Sequence, residues 1–290
     1  MSAALFLLLL AAAQGDTGSF VIRNFRFASG ESLPELRLHY RTLGRPHHNA
    51  VLILHGTGGS GSQFLSPQFA GELYGAGQPL DTATHYVILP DNIGHGRSSK
   101  PSDGLRARFP HYAYEDMVAA QYRLVTEGLR VNHLMLVMGT SMGCMHSWIW
   151  GERYPSFMDG LVPLACLPTQ IAGRNRMWRK LIMDDITTDP DWKNGDYATQ
   201  PRGLRAALQL LFIAVSAPLV QQRLGPSRDS ADDFVNPPEL GIMERLIARV
   251  KQGRYILIPI GDRTRGHGTH TAAAVWKEYF APFVGALERR

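Results

Sequence analysis

Five short runs of uninterrupted apolar residues constrain the fold of this chain more than any other feature. They are AVLILHG (50–56), YVILPD (86–91), HLMLVMG (133–139), GLVPLA (160–165) and YILIPIG (255–261). A strand with one wet face alternates apolar and polar residues, so unbroken runs of this length read as strands buried on both faces. The stretches between them have helical spacing. In YEDMVAAQYRLVTEGL (114–129), Met117, Val118, Tyr122 and Val125 share a stripe, and AAAVWKEYFAPFV (272–284) reads the same way. Strands alternating with helices predict a mostly parallel α/β sheet with helices on both faces.

Two regions depart from this rhythm. FVIRNFRF (20–27) and ELRLHYRTLG (35–44) alternate apolar and polar residues, as an antiparallel hairpin does. The stretch 167–225 is rich in Arg, Asp, Pro and Met, and its RGLRAALQLLFIAV segment (202–215) has helical character. It is expected to form a helical cap over the C-terminal edge of the sheet. The core is then split into a first part, 20–166, and a last part, 226–290.

The run ending at Gly139 leads directly into Gly139-Thr140-Ser141-Met142-Gly143, and MGCMHSWIWGERYP continues as a helix that stops before Pro155. Gly-x-Ser-x-Gly alone is a weak signal. Between a buried strand and a helix it marks a turn so tight that the serine is forced into a strained conformation, with its hydroxyl lifted to the sheet edge. Ser141 is therefore the candidate nucleophile. The Met142 N–H, at the helix N-terminus, is a candidate oxyanion donor, and Thr57 in LHGTGGSG is the second. That loop also matches Gly-x-Gly-x-x-Gly, but Pro67, Gly71, Gly75, Gly77 and Pro79 crowd the place where a dinucleotide site needs a helix.

A serine nucleophile needs a base, and in this architecture the order is Ser, then an acid, then His. IPIGDRTRGHGTHT supplies His267, in a glycine-flanked turn, and His270, expected inside the following helix. His267 is the candidate base. The pair also has His-x-x-His spacing, but nothing nearby in the sequence offers a convincing third ligand, so no metal is expected. Asp232 and Asp233 are the candidate acids, with Asp262 a further one close to His267 in sequence.

Composition narrows the partners. The net charge of +5 comes mainly from 25 Arg against 5 Lys, and its densest run, Arg174, Arg176, Arg179 and Lys180, reads as a solvated helix face. No nucleic-acid module accompanies it. Leu5 to Ala13 is apolar and too short to span a bilayer; with Ala11-Ala12-Ala13 it reads as a signal peptide (1–13). The expected location is secreted or periplasmic, without stable membrane insertion after signal removal, or cytoplasmic if the leader is retained. The two cysteines, Cys144 and Cys166, allow one disulfide; small buried fillers are the expected reading.

With GTSMG, DNIGHGRSSKPS (91–102) and NRMW…DPDWKNGDYATQPRGL (175–204) taken together, the chain resembles the homoserine O-acetyltransferase family of the α/β-hydrolase superfamily, from about Phe25 onward. The resemblance implies the α/β-hydrolase fold and a triad of Ser141, His267 and Asp233, the last by its Asp-x-x-x-Pro match with Pro237. It implies acyl transfer or ester hydrolysis on a small-molecule acyl substrate, with no cofactor and with a homodimer as one assembly open to it. Two positions depart from the family pattern. Gly268 stands where an Asp follows the catalytic His, and Leu208 is the nearest match to a substrate-binding Arg. The stretch before Asp233 also lacks an apolar run, so one sheet strand ahead of the acid is expected to be missing. The 255–261 strand should then lie beside the 160–165 strand.

Overall fold

The computed structural model describes residues 15–46, 49–215 and 241–289. It divides into two compact units: Met1–Asp103, Phe109–Leu164 and Thr271–Arg290 form the first, and Gly104–Arg108 with Ala165–His270 the second.

The first unit carries the sheet. Its elements in chain order are β1 (Asp16–Arg26), β2 (Ser32–Leu43), β3 (Ala50–Leu54), α1 (Pro67–Leu73), β4 (Tyr86–Pro90), α2 (Tyr114–Arg123), β5 (Leu134–Thr140), α3 (Met142–Arg153) and β6 (Met158–Leu164). The second unit adds α4 (Gly173–Thr187), α5 (Gly203–Val215) and α6 (Ile242–Leu246), and α7 (Ala273–Leu287) returns to the first. The strand order is β1-β2-β4-β3-β5-β6. β1 with β2 and β2 with β4 are antiparallel, and the remaining pairs are parallel. This is the α/β-hydrolase arrangement: a mixed, mostly parallel sheet with helices.

The two sequence patterns become two environments. β3, β4 and β5 are buried at every residue, as unbroken apolar runs require. Leu52, Leu54, Ile88 and Val137 join Trp150 of α3 in one core cluster. The alternating hairpin instead buries one face, and Ile22, Leu36 and Leu38 pack with Met117 and Leu124 in another. A continuous apolar strand cannot slip register without cost, and each side chain buried here contributes roughly 1.5–3 kcal/mol. Against that background the connections after β3 and β5 run to opposite sides of the sheet. Their C-terminal ends therefore form a switch point, the place where open α/β sheets hold ligands.

Two expectations fail at the far edge. Residues 255–261 form no strand, and Leu257 and Ile260 are 57% and 55% exposed. Apolarity alone does not make a strand; the backbone must find a ladder, and Pro259 removes one donor from this run. Nor is 160–165 buried on both faces: β6 is half-exposed and, among the described residues, outermost in the sheet. The Ser141 N–H donates to Leu164 O at 2.9 Å, so Leu164 turns toward β5. Strand alternation then turns the backbone of Pro163 away from β5, on the side where no further strand of the described residues pairs. The stretch leading to the acid, 216–240, lies outside the described residues, as does the leader 1–14.

Among the described residues no helix is long and apolar enough to cross a membrane. Cys144 and Cys166 are not the thiol fillers the sequence suggested: both are disulfide-bonded.

Candidate active site

Ser141 caps α3 with φ 54° and ψ −113°, a conformation that non-glycine residues rarely adopt. Strain of this kind costs on the order of 1–3 kcal/mol and persists only where the surroundings enforce it. They do so here through two glycines. A Cβ on Gly139 would collide with Gly143 O, and one on Gly143 would collide with Leu54 O. The helix can therefore start at once and press against β3. The Cys144 N–H makes the first helical bond, to Ser141 O at 3.0 Å. The Met142 N–H precedes that bond and has no acceptor among the described residues, which leaves it, with the helix dipole, for a negative charge.

The loop after β3 approaches the same serine. A Cβ on Gly56 would lie 3.2 Å from Ser141 Cβ, so only a bare backbone fits there. The orientation of the Gly56–Thr57 peptide is set by His55, which is fully buried. His55 Nε2 accepts from the Asn92 N–H at 3.0 Å, so the ring proton is on Nδ1 and donates to Gly56 O at 2.8 Å. The Gly59 N–H donates to the same oxygen at 3.1 Å. In a trans peptide C=O and N–H point in opposite directions, so anchoring Gly56 O turns the Thr57 N–H away from His55. Among the described residues nothing accepts from it. The Gly-x-Gly-x-x-Gly segment itself ends in a 3-10 turn at Gly61–Leu65, and α1 begins one turn later, with Pro67 at its first position.

Beneath these loops runs a polar chain that the sequence analysis did not anticipate. The indole N–H of Trp150 donates to Gln121 Oε1 at 2.8 Å, which fixes the amide. Gln121 Nε2 then donates to Asn92 Oδ1, in a short contact, and to His146 Nδ1 at 3.2 Å. Burial holds the imidazole of His55 down to about 4, with its Gly56 bond opposing in part, and holds His146 down to about 3, where His55 and His95 add repulsion. Both are neutral at physiological pH. Protonating His55 would set a second N–H against that of Asn92. Gln63 Nε2 meanwhile donates to Thr140 Oγ1 at 3.3 Å, which ties the residue before the nucleophile to the loop. A histidine ending an all-apolar strand and another inside the apolar α3 were the only sequence signals for this chain.

The histidine segment belongs to the second unit. His267 is buried at 8% exposure and follows Gly266, whose φ is 58°. His270 is not inside α7 as expected but in the 3-10 turn Gly268–Thr271, because the chain makes one tight turn before the helix starts. The two rings meet edge to face, with centroids 5.2 Å apart. Local bonds hold the segment: Gly261 N–H to Thr264 Oγ1 at 2.9 Å and Arg265 N–H to Thr269 Oγ1 at 2.8 Å. Asp232 and Asp233 lie outside the described residues, whereas Asp262 lies within them. Among the described residues no group of three or more His, Cys, Asp or Glu gathers to hold a metal ion.

Residues 49–243 match the family profile of the alpha/beta hydrolase fold. The homoserine O-acetyltransferase of Moorella thermoacetica is 28% identical over 89% of this chain and 77% of its own length. The homoserine O-succinyltransferase of Aromatoleum aromaticum is 34% identical over 63% of this chain, which spans 54% of that protein. The crystal structure of an acetylester hydrolase from Corynebacterium glutamicum superposes with a TM-score of 0.63 at 22% identity, covering 80% of this chain and 67% of that one.

Proposed function

Because this chain belongs to the alpha/beta hydrolase fold family, as a homoserine O-acetyltransferase-like member, we propose that it transfers or hydrolyses acyl groups through a covalent ester on Ser141. The observation that carries this reading is the strained Ser141 at φ 54°, with Gly56 pressed against it and the amides of Thr57 and Met142, which find no acceptor among the described residues, nearby in sequence. Strain and unpaired donors cost stability, and they are kept where chemistry uses them.

In this mechanism Ser141 Oγ attacks the acyl carbonyl carbon while His267 takes the hydroxyl proton. The carbonyl electrons move to oxygen, and the Thr57 and Met142 N–H groups stabilise that oxyanion. On collapse the bond to the leaving alcohol breaks, His267 returns the proton to it, and the acyl group stays on Ser141. Water or a small alcohol, deprotonated by His267, then attacks the ester and frees the serine. Asp233 orients His267 and stabilises its cation.

The acceptor is argued from Gly268. A substrate ammonium in a water-poor site needs a carboxylate partner, and Gly268 offers none next to His267. Water is therefore the preferred acceptor. Transfer to homoserine is the second reading, supported by what the two acyltransferase relatives are. A serine-directed fluorophosphonate should label the chain stoichiometrically, and Ser141→Ala should lose the label. A panel of acyl esters with and without homoserine then separates the two readings: free acid should form faster than the acyl-homoserine. Efficient acyl-homoserine formation would establish the second reading, and absence of labelling would remove both.

A further inference from the structure

A second polar concavity lies on the hairpin, and it shares no residue with the elbow, the His55 loop or the histidine segment. Pairing of β1 with β2 sets Thr17 opposite Arg41, Ser19 opposite His39 and Val21 opposite Arg37. Residues two apart in a strand share a face, so these six side chains stand together. Phe20, Ile22, Leu36 and Leu38 occupy the other face and pack into the core. The hairpin thus turns its polar face outward by register.

The segment after β4 walls this face. The Arg37 N–H donates to Ser99 Oγ at 2.9 Å, the Ser99 N–H to Arg37 O at 2.8 Å, and the His39 N–H to Ser98 Oγ at 2.9 Å. Arg97 and Lys100 are thereby brought beside β2. A cavity of about 490 Å³ results, and Thr17, Ser19, Arg37, His39, Arg97 and Lys100 line it.

Its lining carries three cations, Arg37, Arg97 and Lys100, and no carboxylate, while Asp91 accepts from the Arg97 N–H at 2.8 Å. Asp103 holds Arg37 at 3.3 Å and Lys100 at 2.9 Å, and Arg37 Nε donates to Arg97 O at 3.1 Å. One carboxylate therefore fixes two cations side by side, and the Arg97 guanidinium has no acidic partner among the described residues. The buried His39 lies among these groups, with Nδ1 3.4 Å from Ser19 Oγ and Nε2 3.5 Å from Arg41 Nη1.

We propose that this cavity binds a phosphate group carried by a small molecule. Two guanidinium groups, an ammonium and hydroxyl donors offer more hydrogen bonds than the two oxygens of a carboxylate can accept, and a tetrahedral phosphate matches them. The volume exceeds that of a bare phosphate and falls within the range of small-molecule sites, leaving room for an organic part.

The test is calorimetric titration of the full chain, in a chloride buffer of low ionic strength, with inorganic phosphate and separately with a nucleoside diphosphate. Saturable binding is expected to at least one of them. Arg97→Gln should weaken it by roughly tenfold or more while leaving the ligand-free melting temperature unchanged, since it removes a guanidinium that pairs with no acid among the described residues. Tighter binding of the diphosphate supports a phosphate carried by a small molecule; equal or tighter binding of inorganic phosphate would overturn that and assign the site to the free ion. No saturable heat with either probe would overturn the proposal, as would binding that survives both Arg97→Gln and Lys100→Gln.

Discussion

The nucleophile side and the histidine side of this chain differ in what holds their geometry. Ser141 and the His55 loop end strands that are buried at every residue, and two glycine positions with no room for a Cβ fix how α3 meets β3. His267 is carried by a stretch whose described regular structure amounts to an isolated bridge, Arg265 to His267, and one 3-10 turn. Exposed Leu257 and Ile260 lie on its approach. A group at a strand end inherits the stability of the sheet, whereas one held by turn hydrogen bonds opens at lower free energy. The contrast is between Ser141, placed by the end of a fully buried strand, and His267, placed by a segment whose described regular structure is one bridge and one turn.

The largest effect should appear in turnover. If Ser141 and His267 act as the proposed nucleophile and base, Ser141→Ala and His267→Ala should each remove activity by several orders of magnitude, because such a pair acts as one unit, while His270→Ala keeps most of it. Ester hydrolysis by the three variants checks this, and a dead His270→Ala would move the base to the other ring. Next comes burial. Leu52→Ala, in fully buried β3, should lower unfolding free energy by about 2–5 kcal/mol, but Leu257→Ala, at 57% exposure, by less than about 0.5 kcal/mol. Urea titration of both would erase the comparison if the losses proved equal.

The third effect is on pH. The imidazoles of His55 and His146, held down to about 4 and about 3 against an ordinary 6.5, bind protons less readily folded than unfolded. As pH falls below about 6.5 the unfolded chain takes up protons first, so this stabilisation is complete above 6.5 and is lost progressively toward pH about 3. The urea midpoint should fall across that window, and less steeply in His55→Gln. A midpoint independent of pH would show that the buried chain opens without cost. The smallest effect separates two glycines. Gly143→Ala meets Leu54 O and should cost about 1–3 kcal/mol, whereas Gly261→Ala meets nothing within 4 Å and should be neutral. Melting temperatures distinguish them.

What the sequence made legible follows the same division. The hairpin, β3 to β6 and the strand–turn–helix at Ser141 were readable because each is a local pattern: period two, an unbroken apolar run, or glycines flanking a serine. The buried chain through His55, Asn92, Gln121, His146 and Trp150 was not readable. Its members are drawn from four segments, and only the packed fold brings them together. YILIPIG misled for a related reason. Its composition is that of a strand, but strand formation depends on a neighbouring backbone, and no property of those seven residues reports whether one is present.

Among the described residues no further strand pairs with the outer edge of β6, which bears on behaviour at high concentration. An open strand edge is a template onto which another copy can add a strand, and such growth needs an uninterrupted row of donors and acceptors. Pro163 deletes an outward donor from that row, and Asp159, the second residue of the strand, puts a charge near its other end. Replacing Pro163 with valine would restore the row and give a copy-on-copy sheet somewhere to begin. Light scattering on heating should then rise earlier than in the unmodified chain, and an unchanged onset would show that this imino acid does not limit strand addition.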